Sequence, residues 1–169
     1  MFKKILVPID GSPNSQKALK AAVSLAKQFS SEVVALYVAE VGAYPVMPGD
    51  FIGWSASYVE ETLEALRSMG QKVLDEAKQL TAKDFPALKT ELEMGRAIDA
   101  ICAVAEKEKC DLIVMGSRGL SDFKGFFLGS VSHGVLQRST CPVLLIKDSL
   151  VPVHDEDSRR VVAAHTLKG

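Results

Sequence analysis

Glycines and hydroxyl residues recur at fixed intervals late in the chain, as Gly116-x2-Gly119-x9-Gly129-Ser130-Val131-Ser132. These residue types suit one kind of chemistry, the cradling of an anion. Gly116 and Gly119 allow a tight turn and a close approach of backbone to ligand. Gly129, Ser130 and Val131 read as the opening of a helix, whose unpaired backbone N–H groups and dipole favour negative charge. Ser130 and Ser132 add hydroxyl donors in the same turn, so phosphate oxygens could be held with no lysine. Taken bare, glycines at such spacings also serve merely to cap turns, and the residues alone leave that reading open. The stretch is not a P-loop, because no Gly-Lys-Ser/Thr ends it. Nor is it the dinucleotide fingerprint, since the glycines follow a late strand and not the first.

The elements that must position these residues are legible as hydrophobic periods. Apolar runs at residues 5–7, 33–38, 112–115 and 143–146 are short, rich in branched residues and unbroken by polar alternation, as expected of strands buried on both faces. Leu88, Thr90, Leu92 and Met94 alternate with Lys89, Glu91 and Glu93, which predicts a half-exposed strand. Between the strands, Ala18, Leu19, Ala22, Val23, Ala26 and Phe29 recur at helical spacing behind the cap-and-first-turn pair Ser12-Pro13. Val59, Leu63, Leu66, Met69, Val73, Ala77 and Leu80 mark a longer helix, with Gly70 a mild defect worth ~1 kcal/mol at most. Ile98, Ile101, Cys102 and Ala105 mark a third helix, and residues 130–139 a fourth that ends before Cys141-Pro142. Strict alternation of strand and helix predicts an α/β fold with a parallel sheet and helices on both faces. Residues 42–57, holding Pro45, Pro48, Gly49, Gly53 and Trp54, form a long loop outside this rhythm.

Ligands of open parallel sheets sit beyond the carboxyl ends of the strands, where the strand order reverses. That rule singles out Pro8, Asp10, Gly11 and Ser12 after the first strand, Val38 at the end of the second, and Met115 with the glycine turn after the fourth. Asp10 could be only a turn acceptor for the following helix, but its place at a strand end favours a ligand contact. His133 is expected to face solvent on the last helix, and no general base or nucleophile stands out beside the glycines. Arg118 reads equally as a screen for phosphate charge or as a solvated loop residue. Phe123, Phe126 and Phe127 are expected to anchor the loop before Gly129.

The totals narrow the function classes. With 169 residues the chain fits one domain with a full core, followed by a tail over residues 148–169 that is flexible or associated with a dimer. Its formal net charge of −1 offers no strong field for gripping nucleic acid or an anionic membrane. The opening Met1-Phe2-Lys3-Lys4 and the short run after it, broken by Pro8, do not make a secretory signal, and nothing approaches ~18 consecutive apolar residues. A cytoplasmic location is expected. The three cysteines, Cys102, Cys110 and Cys141, match no zinc spacing and are expected to be reduced and mostly buried.

The glycine spacing as a whole resembles the nucleotide signature of the universal stress protein family. Its surroundings agree: the run from Ile5 through Pro8 and Asp10 to Ser12 is similar to that family's opening strand and turn. Asp111-Leu112-Ile113-Val114-Met115-Gly116-Ser117 is similar to its fourth strand, and Cys141-Pro142-Val143-Leu144-Leu145-Ile146 to its fifth. The likeness spans about residues 2–147, which makes 1–147 the nucleotide-binding domain. The resemblance implies a Rossmann-like sheet of order 3-2-1-4-5 and bound ATP, together with Mg2+ or Mn2+. It implies that Pro8 and Asp10 face the nucleoside end, that the backbone of Val38 reads the adenine edge with Met115 packed near it, and that Gly116 lies by the ribose. Gly119, Gly129, Ser130, Val131 and Ser132 would hold the phosphates. It further implies a homodimer formed through the last strand, which agrees with an edge strand that is apolar on both faces. The function expected is that of an ATP-binding stress-response sensor with no dedicated catalytic residue. A slow ATPase or phosphotransferase, and an adaptor for a protein partner with a vestigial pocket, are the alternatives.

Overall fold

The structure, a computed structural model, describes residues 2–40, 56–119 and 128–147. Trp54 and the rest of the predicted loop up to residue 55, the aromatic trio Phe123, Phe126 and Phe127, and the tail 148–169 lie outside the described residues.

Strands and helices alternate as β1 (Lys4–Pro8), α1 (Pro13–Phe29), β2 (Glu32–Ala39), α2 (Ala56–Thr81), β3 (Lys89–Met94), α3 (Ala97–Lys107), β4 (Leu112–Gly116), α4 (Ser130–Arg138) and β5 (Val143–Ile146). The five strands form one sheet of order β3-β2-β1-β4-β5, with every neighbouring pair parallel. The chain therefore winds outward from β1 in one direction to β3 and then in the other to β5, and the order reverses between β1 and β4. That is where an open sheet leaves a crevice at its carboxyl ends.

Two cores follow from the period of two along each strand. Ile5, Val7, Val33, Ala35, Leu112 and Val114 face α1 and α2, whose Leu19, Ala22, Val23, Leu74 and Ala77 cover them. Leu6, Val34, Leu36, Ile113 and Met115 face the other way, onto Ile101, Val104 and Ala105 of α3 and Val135 of α4. Central strands buried on both faces match the unbroken apolar runs. β3 is half-exposed along its length, as its alternation predicts, and its outward acids meet lysines: Lys107 Nζ donates to Glu91 at 2.7 Å.

Three expectations change. β5 is not buried like its three apolar counterparts: among the described residues it pairs with β4 alone, and Leu144 is 39% exposed. Along α2, Val59, Met69 and Leu80 point outward, and the face on the sheet runs instead through Leu66, Gly70, Leu74 and Ala77. A Cβ on Gly70 would stand 2.6 Å from Cδ1 of Tyr37 and 2.7 Å from Cδ1 of Leu92, so this glycine lets the helix lie close over β2 and β3. It is a packing requirement and not a defect. Only Cys110 of the three thiols is buried; Cys102 and Cys141 are partly exposed, because α3 turns one side outward and Cys141 precedes the edge strand.

Candidate functional site

The site is built from the turns that follow β1 and β4. After β1, the Ile9 N–H continues the ladder to the Leu36 carbonyl at 2.8 Å. The chain then reverses through Gly11, whose φ of +83° favours glycine. Asp10 Oδ1 accepts the N–H of Ser12 at 2.9 Å, and Ser12 Oγ accepts the N–H of Ser15 at 3.1 Å, which caps α1. Asp10 therefore does serve as the turn acceptor that its sequence position allowed. Its other oxygen points elsewhere: a Cβ on Gly119 would stand 2.5 Å from Oδ2. The carboxylate and the glycine turn after β4 are thus face to face.

The turn after β4 is held from three sides. Ser117 N–H donates to the Ile146 carbonyl of β5 at 2.9 Å, and the Ser117 carbonyl accepts Gly129 N–H at 2.8 Å. Ser132 Oγ, buried, donates to the Gly116 carbonyl at 2.9 Å. These bonds fasten the amino end of α4 to the carboxyl end of β4. Gly116 itself lies so close to α1 that a Cβ would meet Asn14 Cβ at 3.1 Å and the Arg118 carbonyl oxygen at 2.9 Å. Neither Gly116 nor Gly119 has a positive φ; both are places of close approach, and the turn does not depend on left-handed backbone.

Gly129 is the N-cap of α4, and no side chain bonds to the helix end there. The first bond within the helix runs from His133 N–H to the Gly129 carbonyl at 2.9 Å. The amides of Ser130, Val131 and Ser132 precede it and are the donors that a helix amino terminus presents outward. Ser130 is exposed, Val131 is partly buried against the second core, and the Ser132 hydroxyl hydrogen is spent on Gly116. Of the two hydroxyls expected as donors, then, that of Ser130 stands at the surface and that of Ser132 fixes the turn.

The remaining predicted residues distribute as follows. Pro8 closes β1 opposite Leu36, and Val38 lies two residues further along β2, opposite Glu93 of β3. Val38 and Met115 pack on the same core, and Met115 is 5% exposed, with its side chain among Leu6, Ile113 and Val135. His133 is exposed, in keeping with its expected place on the surface, and Arg118 is partly buried and engaged. Sequence reasoning passed over Asn14, which lies beneath Gly116 and whose Oδ1 is buried without a hydrogen-bond partner; nothing in its spacing marks it. It also passed over Ser117 as the joint between β5 and α4. Nor does any spacing mark Glu40, whose carboxylate takes the Ala97 N–H at 2.9 Å and so caps α3.

A groove of about 300 Å³ between α1 and α2 is lined by Ile9, Gly11, Ser15, Leu19 and Val73 among others, and so borders the turn after β1. Ion pairs that shift titration collect at the opposite, amino edge of the sheet. There the hydrogen bond to Glu108 raises the Lys4 ammonium above its ordinary value, and the same bond lowers Glu108. Burial pushes the Cys110 thiol up to about 11. Among the described residues, no three or more His, Cys, Asp and Glu side chains cluster so as to hold a metal ion. What the crevice offers is a set of backbone amides at a helix terminus, two glycines that clear the approach, and one carboxylate across from them. Donors of this kind suit an anion.

A family model described as the universal stress protein family matches residues 1–147. The chain belongs to the universal stress protein family. It is 37% identical over 147 residues to a universal stress protein of Methanocaldococcus jannaschii, covering 87% of this chain and 83% of that one. Among solved structures, the universal stress protein UspA of Lactobacillus plantarum superposes with a TM-score of 0.72 at 28% identity, covering 85% of this chain and 97% of that one. A universal stress protein solved in complex with cAMP shares the fold at a TM-score of 0.57 and 24% identity, covering 86% of this chain and 97% of that one. The sheet order of this family member is the one that the resemblance implied. No helix among the described residues is long and apolar enough to cross a membrane.

Proposed function

We propose that this universal stress protein binds ATP in the crevice between β1 and β4 and acts as a stress-response sensor, not as a dedicated catalyst. The observation that carries the reading is the amino terminus of α4, stapled to the end of β4 and left with the Ser130, Val131 and Ser132 amides ahead of its first internal hydrogen bond. Phosphate oxygens would seat on these amides, with Gly119 and Gly129 clearing the approach. Gly116 would lie by the ribose, and Pro8, Asp10, the backbone of Val38 and Met115 would line the nucleoside end. The residues fit such a ligand at Gly119, where a Cβ would stand 2.5 Å from Asp10 Oδ2 and so close the gap between that carboxylate and the glycine turn. The cAMP-bound protein has the same fold, and an adenine nucleotide is the ligand class this supports.

Mg2+ or Mn2+ bound with the ATP would neutralise phosphate charge. Phosphate oxygens and water would supply its coordination, as suits an ion that keeps much of its hydration. We further propose a homodimer through β5, supported by the exposed apolar side chains of Leu144 on that strand and Leu136 on α4. The expected location is cytoplasmic, and the sensor would act on a protein partner.

Calorimetric titration of the purified protein with ATP and MgCl2 tests the central claim, and a flat titration would sink it. Mass spectrometry of nucleotide released on denaturation would show which adenine nucleotide the protein carries. Phosphate release above background that is lost in Asp10→Ala or Ser130→Ala would move the reading from sensor to slow ATPase.

A further inference from the structure

Asn14 Oδ1 is the buried polar side-chain atom that lacks a hydrogen bond among the described residues. Its position is not peripheral. Asn14 is the second residue of α1, and its Cβ and carbonyl carbon lie 3.1 and 3.2 Å from where a Gly116 Cβ would be. Four donors of the neighbouring segments are committed elsewhere. Ser12 N–H goes to Asp10, Ser15 N–H to Ser12 Oγ, Ser117 N–H to Ile146 and the Ser132 hydroxyl to Gly116. A buried acceptor with no donor is penalised, and such an atom calls for an explanation where it occurs. Here it occurs under the turn that would close on a phosphate.

We propose that Asn14 is a positioning residue for the nucleotide site: its Oδ1 gains the missing donor, a backbone N–H of the 116–119 turn, when that turn draws in around bound phosphate. The inference rests on the nucleotide reading above. Within the described residues that acceptor is unpaired, so part of the binding energy would come from a group that never touches ATP. Asn14 would also favour the closed turn only when the cradle is filled, and this lends the site a discrete occupied state.

The test is Asn14→Leu, which replaces the amide by an apolar group of similar size, with Asn14→Ala as a second variant should the larger side chain crowd Gly116. Thermal melts are recorded with and without ATP and MgCl2, and affinities are measured by calorimetry. The expected result has two signs: the ligand-free protein melts no lower than wild type, while ATP binds roughly ten- to a hundredfold more weakly. The loss should be equal for ATP and for its 2′- and 3′-deoxy analogues. A lower ligand-free melting temperature with unchanged affinity in both variants would reduce Asn14 to a packing residue and overturn the proposal. A loss seen with ATP but absent with a deoxy analogue would also overturn it, because Asn14 would then be touching the sugar. If wild type itself fails to bind ATP, the nucleotide reading falls and takes this inference with it; if wild type binds and the variants bind equally, only the inference falls.

Discussion

Replacing Gly129 by alanine separates the ligand's demands from those of the fold. Gly129 caps α4 with φ −71° and ψ 154°, an extended conformation that alanine adopts without strain. The added Cβ would lie 3.4 Å from the Ser117 carbonyl oxygen, 3.5 Å from Arg118 Cα and 3.8 Å from Ser132 Oγ, all ordinary contacts. Alanine is the poorer N-cap by up to about 1 kcal/mol, and it loses less chain entropy on folding, by about 0.4–1 kcal/mol. The two nearly cancel, so stability should change by no more than about 0.5 kcal/mol, or about 2 °C in melting temperature for a chain of this size. The methyl group nevertheless enters the space between the 116–119 turn and the α4 amides, where a phosphate would seat. Crowding of that kind costs about 1–3 kcal/mol, which predicts ATP affinity weaker by roughly five- to 150-fold. Melts and calorimetric titrations on the same samples read both quantities. Unchanged affinity would show that phosphate does not approach Gly129, and a melting temperature lowered by more than about 5 °C would show that the glycine serves the fold. Gly116→Ala provides the contrast: its Cβ would press on the Arg118 carbonyl and on Asn14, mostly backbone atoms, so it should destabilise the empty protein by about 1–3 kcal/mol.

Gly70→Ala should lower stability by up to about 2 kcal/mol, because overlap with Tyr37 and Leu92 outweighs the ~1 kcal/mol gain in helix propensity; a raised denaturation midpoint would refute the packing argument. Leu144→Lys should convert the proposed dimer to a monomer in light scattering, and an unaltered mass would remove β5 from the interface. The Cys110 thiol, pushed up to about 11 from 9.0, should carry about a hundredfold less thiolate than an ordinary cysteine at pH 8 and label correspondingly slowly; labelling as fast as Cys141 would contradict its burial. The Glu32 and Glu108 carboxyls are held below their ordinary 4.5 by hydrogen bonds from Lys89 and Lys4 respectively. Their folded values lie under the unfolded ones, so their contribution is present above 4.5 and lost as pH falls through the folded values. Urea midpoints should drop over that acid range, and Glu32→Gln/Glu108→Gln should flatten the drop. A double variant as acid-sensitive as wild type would assign the loss to other groups.

How far the sequence carried depended on whether a residue's role was local or set by a neighbour distant in the chain. The central strands were legible because burial on both faces demands unbroken apolar runs, and Ser12-Pro13 was legible because capping needs only four consecutive residues. The same logic misplaced Gly70. Propensity sees a glycine inside a helix as a loss, whereas the decisive atoms belong to Tyr37 and Leu92, on strands 33 residues before it and 22 after it in the chain. β5 shows the converse. Its apolar residues read like those of β1 and β4, and only the sheet order reveals that among the described residues one side has no strand to meet. At the site, the glycines and Asp10 were visible through their spacing and their place after strands. Asn14 was not, because what marks it is a missing partner, and the absence of a hydrogen bond leaves no pattern in a sequence. The residues found by spacing are therefore those that would make room for the proposed ligand. Those found only in three dimensions, Asn14 beneath Gly116 and Ser117 between β5 and α4, are the ones through which occupancy of the crevice could be felt by the rest of the fold.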